Sequence, residues 1–244
     1  MRSTRPVSGG GPALAGAPLV RLSSPAPASS TAAQAAANQC IADNVCTLDE
    51  STLRFFVLGD FGGLPIWPYK TWAQKKVSTA MSEVAKVRGT HFQLEVGDNF
   101  YYTGVKDDHD KRFKETFEDV YNKNDFMYKP WYMLAGNHDH YGNVSAQISY
   151  SNRSERWTFP SLYYKFSYKF ADNALVEFIV IDTVVLCGNT LDGDIDDPGI
   201  WDMLMDEDDS PEGPASVEEA EAQWSWIEQQ LAQSTLAVWN TRKK

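Results

Sequence analysis

The run Phe92-Gln93-Leu94-Glu95-Val96-Gly97-Asp98-Asn99-Phe100-Tyr101 decides the fold. Phe92 to Val96 is short and mostly apolar, and it stops at Gly97-Asp98, the pattern of a buried strand followed by a turn. The same pattern lies on either side. Arg54-Phe55-Phe56-Val57-Leu58 stops at Gly59-Asp60, and Pro130 to Ala135 stops at Gly136-Asn137. Between these runs, Trp72 to Arg88 carries Trp72, Val77, Met81, Val84, Ala85 and Val87 at mixed helical spacing. Asp108 to Tyr121 is charged, with Phe113, Phe117 and Val120 on one face. Strand, helix, strand, helix, strand predicts parallel strands joined by right-handed crossovers, an α/β fold.

In an open parallel sheet the carboxyl ends of the strands share one edge, and ligands bind there. Three strands would deliver Asp60, Asp98 and Asn137 to that edge, each after a glycine that lets the backbone turn sharply. Converging carboxylates repel one another unless a cation sits between them. Tyr101, three residues after Asp98, adds a phenol, and His138 and His140 add imidazoles beside Asn137. Hard oxygens with a phenolate suit iron(III), whereas an amide oxygen with imidazole suits iron(II), zinc or manganese. A bridging Asp98 would hold two metals about 3.5–4 Å apart, the spacing of two-metal phosphoester hydrolysis.

Working outward, Leu162 to Phe170 and Leu175 to Ile181 flank the turn Ala171-Asp172-Asn173 and predict an antiparallel hairpin. Gly188 to Gly213 is rich in Asp and lacks EF-hand spacing, so a solvated loop is expected rather than a calcium site. Ser216 to Gln233 reads as a helix with Ser216 as N-cap, Glu219 at the capping-box position, and Trp224, Ile227 and Leu231 as its buried stripe. Residues 1–38 are dominated by Ala, Ser, Pro and Gly, and predict a disordered tail ahead of a domain over 39–244. The tail makes an unconvincing signal peptide.

The chain has 244 residues and a formal charge of −11, with no basic footprint for nucleic acid. No apolar stretch reaches the ~18 residues of a membrane span. Three cysteines, Cys40, Cys46 and Cys187, allow one disulfide or none. Asn143-Val144-Ser145 and Asn152-Arg153-Ser154 are glycosylation tripeptides. His91 reads as a structural or surface residue and His109 as part of a solvated helix start, while His140 fits either the pocket or a packing role. Phe55, Phe92, Phe178 and the Trp131-Tyr132 pair read as core.

Gly59-Asp60-Phe61-Gly62, Gly97-Asp98-Asn99-Phe100-Tyr101 and Gly136-Asn137-His138-Asp139 resemble the first three of five blocks of the purple acid phosphatases. The wider runs Gly97 to Val105, Lys111 to Val120 and Pro130 to His140 are similar to the small animal, tartrate-resistant type, and the likeness extends from about Arg54 to about Leu231. The resemblance implies a calcineurin-like metallophosphoesterase sandwich, two mixed sheets flanked by helices. It also implies an acid phosphatase that hydrolyses phosphate monoesters with a metal-bound hydroxide at a dinuclear centre, iron(III) plus iron(II) or zinc. Asp60 and Tyr101 would bind iron(III), Asp98 would bridge, Asn137 would bind the second metal, and His138 would orient the phosphate and assist the leaving oxygen. Asn143 matches the family's glycosylated asparagine. A secreted or lysosomal monomer acting on small phosphomonoesters or phosphoproteins follows from the same likeness.

The chain also departs from the family. The fourth and fifth blocks, Gly-His and Gly-His-x-His, supply three further metal-binding histidines, whereas this sequence has four histidines and none after His140. The expectation is a C-terminally truncated relative whose second site keeps only Asp98 and Asn137, with an unpaired strand edge and Cys187 as a free thiol. The acidic segment after Cys187 corresponds to the family's exposed, protease-sensitive loop. A catalytically impaired form, or a phosphoesterase for diesters or nucleotides, are the alternatives.

Overall fold

The computed structural model describes Cys40, residues 44–189 and residues 213–234. The predicted tail, most of the acidic segment and residues 235–244 lie outside them. In chain order the elements are β1 (Val45–Leu48), β2 (Phe55–Leu58), α1 (Trp72–Arg88), β3 (Phe92–Glu95), a π-helical turn (Phe113–Glu118) and β4 (Trp131–Tyr132). There follow α2 (Asn137–His140), α3 (Val144–Tyr150), β5 (Trp157–Thr158), β6 (Tyr164–Phe170), β7 (Leu175–Val180), α4 (Thr183–Cys187) and α5 (Val217–Gln233).

They form two sheets. One has the order β2-β3-β4-β5 with every pairing parallel, and the other has the order β1-β6-β7. The predicted hairpin is the antiparallel β6–β7 pair, and β1 joins it parallel to β6. β1 and β5 were not expected, because neither is followed by the glycine turn that marks the runs of β2, β3 and β4. The third apolar run supplies only Trp131–Tyr132 as strand.

The layer between the sheets is aromatic. Phe92 stacks on Tyr168 with ring centroids 4.9 Å apart, and Phe166 stacks on Tyr132 at 3.6 Å and on Phe178 at 4.7 Å. Phe55 stacks on Phe92 at 4.6 Å although it is 38% exposed at the sheet edge. A second aromatic layer beneath the helices joins Phe61, Phe113, Phe117, Tyr121, Trp131 and Trp157, all buried.

α1 spans the predicted residues and starts from Thr71, which makes a reciprocal capping box with Gln74. Its inward face differs from the apolar one. Gln74, Ser78, Met81, Ser82 and Ala85 are buried, whereas Trp72, Val77, Val84 and Val87 are exposed. The buried polar groups are bonded: Gln74 Nε2 donates to Phe61 O, Ser78 Oγ to Val120 O at 2.7 Å, and Ser82 Oγ to Asp125. α5 corrects its forecast in the same way. Trp224 and Leu231 are exposed at 52% and 43%, and Ala220 and Gln223 are buried instead. Ser216 does cap α5, its hydroxyl accepting from Glu219 N at 3.2 Å.

Cys40 and Cys46 form a disulfide, and Cys187 is a free, exposed thiol.

Candidate metal centre

Parallel register brings the strand ends together. Leu58 pairs with Glu95 and Leu94 with Tyr132, so Asp60 N donates to Gly97 O at 3.0 Å and Val96 N to Leu58 O at 2.9 Å. The turns differ from the expected form. The left-handed backbone falls on the aspartates themselves, Asp60 with φ 58° and Asp98 with φ 59°, as well as on Gly97 with φ 107°. Short polar side chains tolerate that region, and such strain persists where surrounding structure fixes it. Gly136 has an ordinary φ of −95° and contributes room instead. A Cβ there would overlap the Asp98 carboxylate and its backbone N.

Three of the predicted ligands meet. Tyr101 Oη donates to Asp60 Oδ1 at 2.8 Å and to Asp98 Oδ2 at 3.0 Å. Asp98 Oδ1 accepts from His138 N at 3.3 Å. His138 lies with its ring 4.6 Å from the Tyr101 ring, and its Nδ1–H donates to Tyr102 O at 2.8 Å, which fixes Nε2 as the exchangeable nitrogen. Asn137 opens α2, and its carbonyl accepts from Asn189 Nδ2 at 3.1 Å. Beside these groups lies a cavity of about 410 Å³ lined by Asp60, Asp98, Asn137, Thr183, Val184 and Cys187.

Burial first, and then the two carboxylates, push the Tyr101 phenol far above its ordinary value of 10.0. One shared proton therefore stands between two anionic groups. A multivalent cation placed there would displace that proton and satisfy all three oxygens at once. The donor set is hard and anionic, so Asp60, Asp98 and Tyr101 fit a hard cation such as iron(III).

The residues that hold these loops have no role assigned by the sequence alone. Asp139 is fully buried and accepts from Gly136 N at 2.9 Å, Asn99 N at 3.0 Å, Phe100 N at 3.1 Å and Gln147 Nε2 at 2.8 Å. It ties the 98–101 loop to the 136–140 loop, while burial raises its carboxyl to about 6 against those donors. Arg112, also buried, donates from Nη1 to Tyr101 O at 3.0 Å. Both stood inside recognised motifs, but only their partners reveal what they do. Glu95 has both oxygens buried with no hydrogen-bond partner, and burial, with Asp139, Asp60 and Asp98 nearby, pushes it well above 4.5.

His140 lies against the buried Asp182, with Nε2 2.8 Å from Oδ2. His91 bonds Glu50 at 2.6 Å and His109 bonds Asp108 at 2.7 Å, both away from the site. Asn143 is exposed; its Oδ1 caps α3 through Ala146 N at 3.0 Å and its Nδ2 donates to Lys106 O at 3.1 Å. Among the described residues, the one cluster of His, Cys, Asp or Glu close enough to share an ion is Asp107, Asp108 and His109, outside this site.

A family model described as calcineurin-like phosphoesterase matches residues 53–233. Tartrate-resistant acid phosphatase type 5 of Rattus norvegicus is 44% identical over 188 residues, covering 77% of this chain and 54% of that protein. The Homo sapiens protein of the same name is 45% identical over 181 residues, covering 74% and 52%. Purple acid phosphatase 3 of Arabidopsis thaliana is 34% identical over 110 residues, 44% of this chain and 28% of that one. The chain thus spans about half the length of the type 5 relatives it matches. A solved structure described as GAP50, the anchor in the inner membrane complex of Plasmodium, aligns with a TM-score of 0.55 at 26% identity, covering 74% of this chain and 50% of that one.

Proposed function

Because this chain belongs to the calcineurin-like phosphoesterase family, we propose that it is an acid phosphatase acting on phosphate monoesters at a dinuclear centre of iron(III) with iron(II) or zinc. The observation that carries the reading is the meeting of Asp60, Asp98 and Tyr101 within hydrogen-bond distance through one phenol proton, at the sheet edge beside a cavity. Asp60 and Tyr101 would hold the trivalent ion, Asp98 both ions, and Asn137 the second. Such a pair supplies Lewis acidity and a water acidic enough to attack phosphorus near neutral pH.

The protein's own groups do the rest. Asp139 fixes the two loops by accepting from Asn99, Phe100 and Gly136 N, with Gln147 of α3 as a fourth donor, so the oxygens stay in place when a phosphate arrives. His138, fixed at Nδ1 by Tyr102 O, can give the proton of Nε2 to a leaving oxygen. A chain of formal charge −11 repels anionic esters at long range, so their attraction has to come from the site.

Extracellular or lysosomal location is part of the proposal. The Cys40–Cys46 disulfide supports an oxidising compartment, and among the described residues no helix is long and apolar enough to cross a membrane. Asn143 is exposed and gives Nδ2 one hydrogen bond, leaving a second hydrogen for a glycan link. A monomer acting on small esters or phosphoproteins completes the reading.

The test is direct. Iron-loaded chain should absorb in the visible through Tyr101 and release phosphate from an aryl phosphate. Tyr101→Phe should bleach the band, and Asp98→Ala should lower turnover by at least 100-fold. Colourless, metal-free protein with full activity would sink the reading. One observation favours a second reading, a metal-binding but catalytically impaired protein: among the described residues the donors that meet at the site, Asp60, Asp98 and Tyr101, are all oxygens. Iron uptake and colour without turnover would select it.

A further inference from the structure

Three elements around the metal centre converge on one buried carboxylate that takes no part in ligation. Asp182 is wholly buried, and every polar atom it offers is engaged. Its Oδ2 lies 2.8 Å from His140 Nε2 on α2, the short helix that begins with Asn137 and His138. Its Oδ1 accepts from Val185 N at 3.0 Å and so caps α4, whose Thr183, Val184 and Cys187 form one wall of the metal cavity. Its backbone N donates to Gln223 Oε1 at 2.9 Å and its backbone O accepts from Gln223 Nε2 at 3.1 Å, which fastens it to α5. Just past α4, Asn189 Nδ2 returns to Asn137 O at 3.1 Å.

We propose that the His140–Asp182 pair is a positioning device that sets the Asn137 turn against the α4 wall, and thereby the second metal position. The inference rests on the metal reading above and adds a residue pair to it. A carboxylate with no exposure needs donors to replace lost water, and among the described residues His140, at 19% side-chain exposure, is the side chain that reaches its Oδ2. The pair ties a turn bearing a candidate ligand to the opposite side of the same cavity. Removing the imidazole leaves α4 capped but without its side-chain bond to α2, so that Asn189 alone of the named contacts still reaches the Asn137 turn. Outer contacts of this kind change metal affinity by about 10–100-fold in metalloproteins.

The experiment uses the full chain with three sequences: wild type, His140→Ala and His140→Gln. Gln Nε2 reaches nearly as far as the histidine Nε2 and can donate to Asp182, so it preserves the contact without the ring. Two quantities are read: the dissociation constant for manganese(II) alone, and amide hydrogen exchange of residues 183–188 in metal-free protein. The expected result for His140→Ala is at least tenfold weaker manganese binding and at least tenfold faster exchange in 183–188. His140→Gln should restore both to within threefold of wild type. Manganese affinity within twofold of wild type in His140→Ala overturns the proposal, whatever the exchange does. Equal loss in His140→Gln also overturns it, because packing of the ring would then be the cause. Wild-type protein that takes up no manganese sinks the metal reading itself. Exchange in 183–188 then decides for the pair, with an unchanged rate in His140→Ala refuting it. If His140→Ala fails to fold, His140→Phe, which keeps a ring but offers no donor to Asp182, carries the same two thresholds.

Discussion

Glu95 holds a carboxyl where no donor reaches it, three residues before a proposed metal ligand. Its protonation controls stability in the metal-free chain. The unfolded chain ionises this group near 4.5, whereas burial keeps it protonated in the fold to much higher pH. Below pH 4.5 both states carry the proton and the group adds no pH dependence. Above it the unfolded state releases the proton and the folded state does not, so stability falls by about 1.4 kcal/mol per pH unit until the folded group also ionises. Glu95→Gln removes that slope and leaves the one from Asp139 common to both proteins. Urea unfolding at pH 4.5, 5.5 and 6.5 should show the variant gaining on wild type at each step; parallel curves would refute the assignment. Gly136 makes a second residue-scale test. Gly136→Ala drives a methyl group into the Asp98 carboxylate and its backbone, so it should cost about 1–3 kcal/mol and abolish visible iron binding, with circular dichroism still native. An alanine variant that binds iron normally would show that the crossing has slack. Asp60, Asp98 and Tyr101 were legible because chain spacing alone carries them to one edge. Asp139 and Asp182 were not, since their importance lies in partners such as Phe100 and Gln223, about 40 residues away in the chain.

Among the elements, α1 and α5 show where apolar periodicity misleads. Their extents, 72–88 and 217–233, follow from caps at Thr71 and Ser216 that the backbone itself requires. Their faces follow from hydrogen bonds instead. Gln74 and Ser78 on α1, and Gln223 on α5, turn inward because carbonyls and amides of neighbouring loops need partners there. Trp72 is left outside, covered in part by Lys76, whose Nζ lies 4.9 Å from the ring centroid. The parallel strands β3 and β4 were readable because burial on both sides forces mostly apolar runs, whereas β2 is an apolar run although Phe55 and Val57 are exposed. β1 and β5 went unread because no glycine turn follows them. Two substitutions separate the rival views of α5. Gln223→Leu adds apolar surface but strands the buried amide of Asp182 and takes one donor from its carbonyl, and should destabilise by about 1–3 kcal/mol. Trp224→Gln, on the face that periodicity would bury, should change stability by less than about 0.5 kcal/mol. Thermal melts of the two proteins decide it, and the opposite ranking would restore the apolar stripe.

At the scale of the whole molecule, a chain of formal charge −11 is proposed to receive anions at its site. The long-range field then opposes encounter, and only the metal pair, at close range, favours it. The repulsion is screened over about 10 Å at 0.1 M salt, so added salt should help rather than hinder. For the metal-loaded protein, kcat/KM for a dianionic phosphomonoester at pH 7 should rise roughly two- to fivefold between about 10 and 150 mM inert salt. A basic phosphatase would show the reverse sign. Because the sequence pI is about 4.8, the net field vanishes as pH approaches that value, and the salt effect should fade with it. A neutral competitive ligand should show no such trend at either pH. The two conditions separate global charge from local chemistry: salt acting on the metals themselves would weaken turnover at both pH values, whereas relief of surface repulsion helps only where the surface is charged. A fall in kcat/KM with salt at pH 7 would mean that a local positive field outweighs the acidic surface well beyond the cavity, and the picture of an attractive site inside a repelling molecule would fail.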